Sequence, residues 1–409
     1  MIFSKKKDFL SFFDFLCIYK KWMKTMQCSR CGNQEQKYFY EDRGKFYCRK
    51  CIQFGRVNVT DVLKKPQILS KKHKVHAQLD FELTDAQKEC SEKLKQAALA
   101  QKDCLVYACC GAGKTEICFE VITTFLNMGK KVGFAISRRQ VVLEITKRFR
   151  KAYPTLKIVP VCQGYTDITD GDLIVCTMHQ LYRYYQTFDL LIMDEVDAFP
   201  YKGNDVLKSI AMQACFGSLI YLSATPDEEM LKDVAEGRLE MIELFVRPHG
   251  HPLIVPTLLK IPGFLQELLM LILIIRHPGQ WMIFLPTIDQ VRLHSSFYHL
   301  FLHSQGITSK TKNKEEIMES FRNKEFSILF TSTILERGIT IQGVNILVLF
   351  SDHVVFDESS LIQIVGRVGR NWKQPTGYAY LAGATVSHAM KRCRDAIRRM
   401  NEDLPDLFS

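Results

Sequence analysis

The most constraining feature of this sequence is the segment Ala108-Cys109-Cys110-Gly111-Ala112-Gly113-Lys114-Thr115, which follows the apolar run Cys104–Ala108. A buried strand, a glycine-rich loop ending in Lys-Thr and a following helical pattern are typical of a phosphate-binding loop. Gly111 and Gly113 let backbone N–H groups surround phosphates, and the next helix adds its positive end. Lys114 places a cation on the β- and γ-phosphates, and Thr115 offers a hydroxyl to Mg²⁺. The segment therefore predicts an α/β protein that binds ATP with Mg²⁺.

An acidic pair follows a second buried strand about 80 residues later. The apolar run Leu190–Met193 ends in Asp194 and Glu195. A carboxylate at the carboxyl end of a strand beside a phosphate loop suits Mg²⁺ binding through water, which we assign to Asp194. Glu195 is then placed to polarise the attacking water, so the pair predicts ATP hydrolysis.

Short apolar runs alternate with longer charged helical patterns from Phe81 onward, which predicts two consecutive α/β domains with parallel sheets. The predicted strands are Cys104–Ala108, Lys131–Ile136, Asp172–Cys176, Leu190–Asp194, Leu219–Ser223, Gln280–Leu285, Phe326–Thr331, Ile346–Phe350 and Gly377–Ala382. A Lys-rich, Pro-containing stretch before Phe81 indicates a linker. The predicted domain boundaries are 1–24 (basic, Phe-rich extension), 25–60 (metal module), 61–80 (linker), 81–245 (first α/β domain) and 246–409 (second α/β domain).

Two cysteine pairs near the amino terminus predict a zinc site. Cys28 and Cys31 form one Cys-x₂-Cys pair, Cys48 and Cys51 form another, and 16 residues separate the pairs. This spacing matches a tetrahedral four-cysteine zinc site. A segment this short buries little apolar surface, so metal binding would contribute most of its folding free energy. Its aromatic and basic residues suit nucleic-acid contact, although aromatics in such modules also pack the hairpin.

The positive charge is concentrated at the amino terminus. The chain carries a net charge of +11, and residues 1–75 hold 18 Lys and Arg against 6 Asp and Glu, so the rest is close to neutral. A basic module on a neutral body indicates an anionic partner, either nucleic acid or an acidic membrane surface. Most of the 14 cysteines stand singly in apolar runs, which favours a reducing compartment and a cytoplasmic protein. The run Leu268–Ile275 is too short to span a bilayer and predicts a buried helix.

Further motifs identify the class of ATPase. Gln87, after Leu83-Thr84, resembles an adenine-recognising glutamine motif, and Ser223-Ala224-Thr225 occupies the position of a motif that couples hydrolysis to domain movement. Gln363 begins Gln-Ile-Val-Gly-Arg-Val-Gly-Arg, whose Arg367 and Arg370 are predicted to share a helical face and reach the phosphates. Together these motifs resemble those of superfamily 2 helicases. The resemblance implies two tandem RecA-like domains and strand contacts from Arg138, Thr177, Thr331 and Arg337.

An amino-terminal four-cysteine module, a short linker and this helicase core resemble, over nearly all of residues 25–409, the ComFA family of late competence proteins. The acidic box at residues 194–197 and the segment Ile-Leu-Glu-Arg-Gly-Ile-Thr support the resemblance. It implies a single-stranded-DNA-dependent ATPase that draws transforming DNA into the cytoplasm. It also implies a partner competence protein encoded beside it, and peripheral association with a DNA-uptake channel at the inner face of the cell membrane. Homo-oligomerisation stays open.

Two other interpretations remain at this point. A primosomal-type replication-restart helicase has a similar core, but it carries zinc-binding cysteines inserted in the second half, where this chain has almost none. A nucleic-acid-binding zinc protein without motor activity would need a decayed ATP site. The intact Lys114, Thr115, Asp194 and Glu195 argue against that interpretation.

Overall fold

A computed structural model describes residues 26–332, 343–370, 372 and 374–402. The chain packs as two compact units. The first contains the described residues up to Gln78 together with Ile122–Ile220, and the second contains Leu79–Val121 together with the described residues from Tyr221 onward. The basic extension at residues 1–24 lies outside the described residues.

The secondary structure of the described residues alternates strands with helices, apart from an initial hairpin. The strands are β1 (Phe39–Asp42), β2 (Lys45–Cys48), β3 (Cys104–Ala108), β4 (Val132–Ile136), β5 (Ile158–Val161), β6 (Leu173–Thr177), β7 (Phe188–Asp194), β8 (Cys215–Ser223), β9 (Glu240–Leu244), β10 (Thr257–Lys260), β11 (Gln280–Phe284), β12 (Ser304–Ile307), β13 (Ile328–Thr331), β14 (Val344–Val348) and β15 (Ala379–Gly383). The α-helices are α1 (Asp85–Leu99), α2 (Phe119–Asn127), α3 (Arg139–Ala152), α4 (Asp205–Ala214), α5 (Glu228–Ala235), α6 (Gly263–Arg276), α7 (Ile288–Tyr298), α8 (Lys314–Arg322), α9 (Glu358–Val365) and α10 (His388–Glu402).

The two predicted parallel sheets are confirmed. Strands β3 to β9 belong to a seven-stranded sheet, and β10 to β15 to a six-stranded sheet in the order β10-β15-β14-β11-β13-β12. Central strands such as β4 and β11 are buried at every position, because helices cover both faces of a parallel sheet.

In the first unit, the hairpin β1–β2 is antiparallel, and Phe39 lies opposite Cys48. Strands β5, β6, β4 and β7 pair in that order, all in parallel. Val132 of β4 is in register with Leu173 of β6 on one side and Leu190 of β7 on the other. This register aligns the carboxyl ends of β4, β6 and β7, so loops that follow them emerge at one edge.

In the second unit, β3 pairs in parallel with β9, and every pairing of the six-stranded sheet is also parallel. One face of the six-stranded sheet packs against α6 and α7 through a core that includes Trp281, Phe330 and Tyr298. Glu267 on α6 accepts hydrogen bonds from the Tyr298 hydroxyl (2.8 Å) and His294 Nε2 (2.5 Å), which joins the two helices.

The prediction of a buried helix at Leu268–Ile275 is correct for the helix and wrong for its burial. The segment is helical within α6, but α6 buries only Gln266, Met270 and Leu273, and Leu268, Ile272 and Ile275 are exposed. A helix of 14 residues with two apolar faces can rest one face on a sheet and leave the other outward, which the composition of the run does not reveal. No helix in the described part of the chain is long and apolar enough to cross a membrane.

Candidate nucleotide site and metal centre

The phosphate loop follows β3 as predicted, and its geometry requires glycine at two positions. Gly111 and Gly113 both have φ of 87°. A Cβ atom on Gly113 would lie 2.4 Å from the amide nitrogen of Gln87, so any side chain there would displace that residue. Lys114 folds back over the loop, and its ammonium donates to the carbonyls of Ala108 (3.2 Å) and Cys109 (3.4 Å). Carbonyl groups hold the ammonium at the loop mouth, where phosphate oxygens would replace them.

Gln87 joins the start of α1 to this loop. Its Oε1 accepts from the backbone N–H of Thr84 (3.0 Å), while the Thr84 hydroxyl accepts from the N–H of Gln87 (3.3 Å), a capping box that fixes the helix start. Its Nε2 donates to the carbonyl of Ala112 (2.8 Å). The side chain is therefore anchored at both ends against the loop, and its contact with adenine stays a prediction.

The two arginines predicted to share a helical face lie beyond the helix. Helix α9 ends at Val365, and Arg367 and Arg370 lie in the turn that follows. Gly366 ends the helix, and Gly369 has φ of 67° with the Pro375 carbonyl 2.3 Å from where its Cβ would be. Glycines after a helical pattern commonly end the helix, and this signal was present in the sequence.

Arg370 nevertheless reaches the phosphate loop. Its Cγ lies 3.6 Å from the position a Cβ would take on Gly111, and its Nε donates to the Gly366 carbonyl (2.8 Å). Arg370 is half-buried, whereas Arg367 is 2% exposed. Arg370 is thus the more accessible of the two guanidinium groups and lies over the loop.

Sequence reasoning missed Arg247, which joins the phosphate loop to the arginine turn. Its Nε donates to the carbonyl of Cys110 (2.9 Å). Its terminal nitrogens donate to the carbonyls of Gly366 (2.9 Å), Val368 (2.7 Å) and Gly369 (2.9 Å). The group is 2% exposed, and burial lowers the pKa of Arg247 from its usual value. Four carbonyl dipoles satisfy a buried cation here, so the side chain holds two separate segments at a fixed distance.

Close packing reinforces this junction. A Cβ on Gly366 would lie 2.5 Å from the Cβ of Cys110, so only glycine lets the end of α9 approach the loop. The Cys110 thiol donates to Oε1 of Gln363 (3.3 Å), another predicted nucleotide-site residue. The structure therefore brings Gln363, Arg370 and the loop together in one unit.

One of the two predicted coupling residues, Thr225, contacts the same helix. Ser223 Oγ accepts from the N–H of Thr225 (3.0 Å), and the Thr225 hydroxyl lies 2.6 Å from the hydroxyl of Ser359 at the start of α9. A rearrangement at the end of β8 would therefore change the position of α9, the helix that precedes Arg367 and Arg370.

The acidic pair lies in the first unit, at the end of β7. Asp194 is 9% exposed, and its Oδ1 accepts from the N–H of Glu195 (2.9 Å). Glu195 has φ of 56°, a conformation that is uncommon for a residue with a side chain and often marks functional sites. Its Oε2 accepts from the Ser137 hydroxyl (3.2 Å). Ser137 precedes Arg138, a predicted contact with a nucleic-acid strand, so the carboxylate is hydrogen-bonded to the segment predicted to bind that strand.

The described residues predicted to contact a nucleic-acid strand lie at the end of a β-strand or at the start of a helix. Arg138 immediately precedes α3, and Thr177 is the last residue of β6. Thr331 ends β13, is fully buried, and donates its hydroxyl to the Ser332 carbonyl (3.1 Å). Arg337 lies outside the described residues. Their contacts with a strand stay predictions.

The four predicted zinc ligands form a compact cluster. The sulfur atoms of Cys28, Cys31, Cys48 and Cys51 all lie within 4.8 Å of one another, and all four residues are buried. Cys28–Cys51 and Cys31–Cys48 sulfur distances are each 3.7 Å. A tetrahedral zinc ion with Zn–S bonds of about 2.3 Å separates its ligands by roughly 3.8 Å, so the cluster fits zinc. Hydrogen bonds from Cys31 and Cys51 lower the pKa of the Cys28 thiol, which favours thiolate formation there.

The four-cysteine module packs against the segment that follows Thr177. Phe54 packs against His179 and Tyr182, with ring centroids 6.2 and 5.5 Å apart, and the Arg30 guanidinium lies 5.9 Å from the Tyr182 ring. The module is therefore docked onto a predicted strand-binding segment of its own unit.

Replacing Cys28 by Ser is expected to remove the bound zinc, since hydroxyl groups are poor zinc ligands compared with thiolates. We expect about one zinc per chain in the parent protein and none in Cys28→Ser, measured by mass spectrometry of the metal. Cys215→Ser is the matched control, because Cys215 is buried but lies outside the cluster. Unchanged zinc content in Cys28→Ser would refute the site.

Three family models match consecutive parts of the chain. The "Competence protein ComFA N-terminal domain" matches residues 16–65, the "Type III restriction enzyme, res subunit" residues 80–228, and the "Helicase conserved C-terminal domain" residues 263–371. Competence protein ComFA of Bacillus subtilis (strain 168) is 31% identical over 398 residues, covering 92% of this chain and 86% of that protein. Competence protein ComFA of Streptococcus pneumoniae (strain ATCC BAA-255 / R6) is 34% identical over 393 residues, covering 92% and 90%.

The chain belongs to the ComFA family. More distant similarity agrees with the helicase core of this family. The transcription-repair-coupling factor of Staphylococcus haemolyticus is 25% identical over 79% of this chain and 29% of that protein. Two solved structures share the fold. S. cerevisiae Dbp5 bound to RNA and ADP BeF3 has a TM-score of 0.54 at 15% identity, covering 79% and 93% of the two chains. RecG bound to a three-way DNA junction has a TM-score of 0.54 at 20% identity, covering 78% and 45%.

The comparisons identify this ComFA family member as a superfamily 2 helicase-like ATPase of natural competence. The alternative of a nucleic-acid-binding zinc protein without motor activity is a question for an assay of ATP turnover, because the matches show the helicase domains and not their activity. The primosomal interpretation has no support among these relatives, because the cysteine module matches the ComFA amino-terminal domain.

Proposed function

We propose that this ComFA family member hydrolyses ATP in response to single-stranded DNA, moves along the strand and thereby drives transforming DNA into the cytoplasm. It would act at the inner face of the cell membrane, with an uptake channel and a partner competence protein. The relatives named for competence support the process, and the basic amino-terminal residues support an anionic polymer as partner.

The observation that carries the proposal is the contact between Arg370 and the phosphate loop. Arg370 Cγ lies 3.6 Å from the Cβ position of Gly111, so the guanidinium group at the end of this side chain is within reach of a γ-phosphate held by that loop, where it would stabilise charge. The arginine turn and the loop are 259 residues apart in sequence, and the structure holds them in one compact unit. An arginine brought to the phosphates from a distant part of the chain makes hydrolysis depend on how that part is arranged, which is what a motor needs.

The remaining residues have complementary roles. Lys114 and the N–H groups near Gly111 and Gly113 bind phosphate oxygens, and Glu195 accepts a proton from the attacking water. Thr115 and Asp194 would hold Mg²⁺, which would supply positive charge to neutralise that of the phosphates. The Thr115 hydroxyl and Asp194 carboxylate are ligand types that Mg²⁺ prefers.

Strand contacts are proposed at Arg138, Thr177, Thr331 and Arg337. Hydroxyls, backbone amides and arginines contact phosphates without reading bases, so binding should be independent of sequence and sensitive to salt. The Ser137–Glu195 hydrogen bond offers a route by which strand binding at Arg138 changes the position of the catalytic carboxylate.

The deciding experiment measures ATP turnover with single-stranded DNA, duplex DNA, forked DNA and RNA. Strong stimulation by single-stranded DNA supports the proposal. Unwinding of forked DNA as the main activity would favour replication restart, and no turnover with any polymer would contradict the motor. Lys114→Ala measures contaminating ATPase in each preparation, because loss of the phosphate-binding cation should lower kcat by about 100- to 1,000-fold.

Replacing Arg247 by Met should lower DNA-stimulated kcat by about 10- to 100-fold, since small displacements of catalytic groups can cost that much. Methionine fills similar space but removes all four hydrogen bonds between the phosphate loop and the arginine turn. We expect the KM for ATP to change less than about threefold, and Arg247→Lys to recover part of kcat because it keeps a donor. A purely structural role would lower the melting temperature without this split between kcat and KM. A folded Arg247→Met protein with normal kcat would contradict the positioning role.

A further inference from the structure

The predicted linker is held in place on the first unit. Residues 64–78, which we call the strap, contain neither helix nor strand. The Lys131 ammonium donates to the Leu69 carbonyl (2.8 Å), and the N–H of His73 donates to the Leu126 carbonyl (3.2 Å). Asn127 exchanges two hydrogen bonds with the backbone of Val75 (2.9 and 3.0 Å). These hydrogen bonds fix the strap on the first unit, so it forms a defined surface and not a flexible tether.

A glycine lets the strap lie close to the body of the unit. A Cβ on Gly129 would lie 2.7 Å from Cγ of Lys72 and 3.3 Å from its backbone nitrogen. Gly129 also has φ of 78°, which side chains rarely adopt. Glycine at position 129 therefore lets the turn after α2 pack against the strap at Lys72.

The strap presents a row of basic side chains to solvent. Lys72, Lys74 and His76 are exposed, while His73 and Val75 between them are half-buried. In an extended chain such alternate residues are roughly 7 Å apart. Phosphates of a stacked strand are about 3.4 Å apart along its axis, so the row matches every second phosphate.

The surroundings of the row are basic or neutral. Lys72, His73, Lys74, His76 and Asn127 line an open cavity of about 620 Å³. The strap contains five lysines and no acidic residue. Two carboxylates near the strap are already paired, Asp172 with His73 (3.1 Å) and Asp170 with the Lys131 ammonium (3.1 Å). The exposed strap lysines Lys72 and Lys74 have no acidic neighbour within the strap itself.

We propose that the strap is a second nucleic-acid-binding surface. It binds the phosphates of a single strand at a place separate from the helicase motifs. The inference rests on the proposed function, because it takes single-stranded DNA as the polymer. Strand phosphates fit better than a membrane surface because the row has a spacing that suits a strand, and because Leu69 is the strap's one large exposed apolar side chain, too little for a face that inserts into a bilayer.

The test is the salt dependence of binding to an oligothymidine strand, measured by fluorescence anisotropy between 50 and 200 mM salt, with the full chain. Each phosphate contact on a single strand contributes about 0.7 to the slope of log K against log salt. The double variant Lys72→Gln/Lys74→Gln should reduce the slope by about 1.4 and weaken binding at low salt by about tenfold or more. Both lysines are exposed, so the melting temperature should not change.

The matched control is Lys88→Gln/Lys93→Gln on α1, which removes the same net charge from exposed lysines elsewhere. An unchanged slope in the strap variant, or an equal loss in the control, would overturn the proposal. Loss of binding to anionic lipid vesicles with normal DNA binding would also overturn it, and would assign the strap to a membrane. Failure of the proposed function is a separate result, in which the parent protein shows no DNA-stimulated ATPase at all.

Discussion

Replacing Arg370 by Ala should lower DNA-stimulated kcat by about 10³-fold or more, because an arginine that stabilises phosphoryl-transfer charge is worth about 10³ to 10⁵ in rate. The half-buried Arg370 side chain lies over Gly111, whereas we propose that the ground-state phosphate contacts come from Lys114 and loop N–H groups. ATP affinity should therefore change by less than about tenfold. Single-turnover hydrolysis and equilibrium binding of a fluorescent ATP analogue separate the two quantities.

The Arg370 experiment has a matched control on α10. Arg392 is an exposed arginine that pairs with Glu358 at 3.4 Å, so Arg392→Ala removes the same side chain away from the loop. Arg367 is a poorer choice because it is 2% exposed, and its loss would also disturb folding. Equal rates for Arg370→Ala and the parent protein would exclude Arg370 as the arginine that acts on the phosphates.

Motifs with fixed local geometry were predictable from sequence. The phosphate loop, the Cys-x₂-Cys pairs and the acidic pair after β7 depend on neighbouring residues, and the structure has each in its expected local setting. The central strands were predictable too, because both faces are buried and their sequences are continuously apolar.

Edge strands and long-range contacts were not predictable. The parallel-sheet strands that sequence analysis missed, β5, β9, β10 and β12, are the outermost strands of the two sheets. Edge strands are short and half-exposed, so they lack a strong apolar signal, and Glu240–Leu244 even alternates with charges. Arg247 could not be found because its four acceptors lie 119 to 137 residues away in the chain. A single arginine in a Pro-rich segment belongs to no sequence motif that predicts such contacts.

The fixed position of the strap also could not be predicted from sequence. Its composition predicted a linker, since lysines and a proline without periodicity form no regular element. The anchors are backbone groups of the strap and side chains such as Asn127 and Lys131, which belong to other elements. Whether an irregular segment is tethered or fixed therefore depends on partners that its own sequence does not contain.

Replacing Glu195 by Gln should lower kcat by about 10²- to 10⁴-fold while ATP still binds, because general-base catalysis contributes that range. Glutamine keeps the shape and can still accept the Ser137 hydrogen bond, but it cannot take a proton from water. The backbone at φ 56° should be retained, since the two side chains have the same size. ATP hydrolysis in a single turnover and ATP affinity by filter binding measure the two effects.

Two further variants make the Glu195 result specific. Glu144→Gln on α3 is the control, because Glu144 is an exposed glutamate of the same unit that contacts Arg148. Ser137→Ala removes only the hydrogen bond that orients Glu195, so its kcat should fall much less than that of Glu195→Gln, and DNA should stimulate it less. If Ser137→Ala kept full DNA stimulation, the strand-binding segment would not act through this carboxylate. If Glu195→Gln kept the parent rate, the proton acceptor would have to be another group, and the acidic pair would serve Mg²⁺ alone.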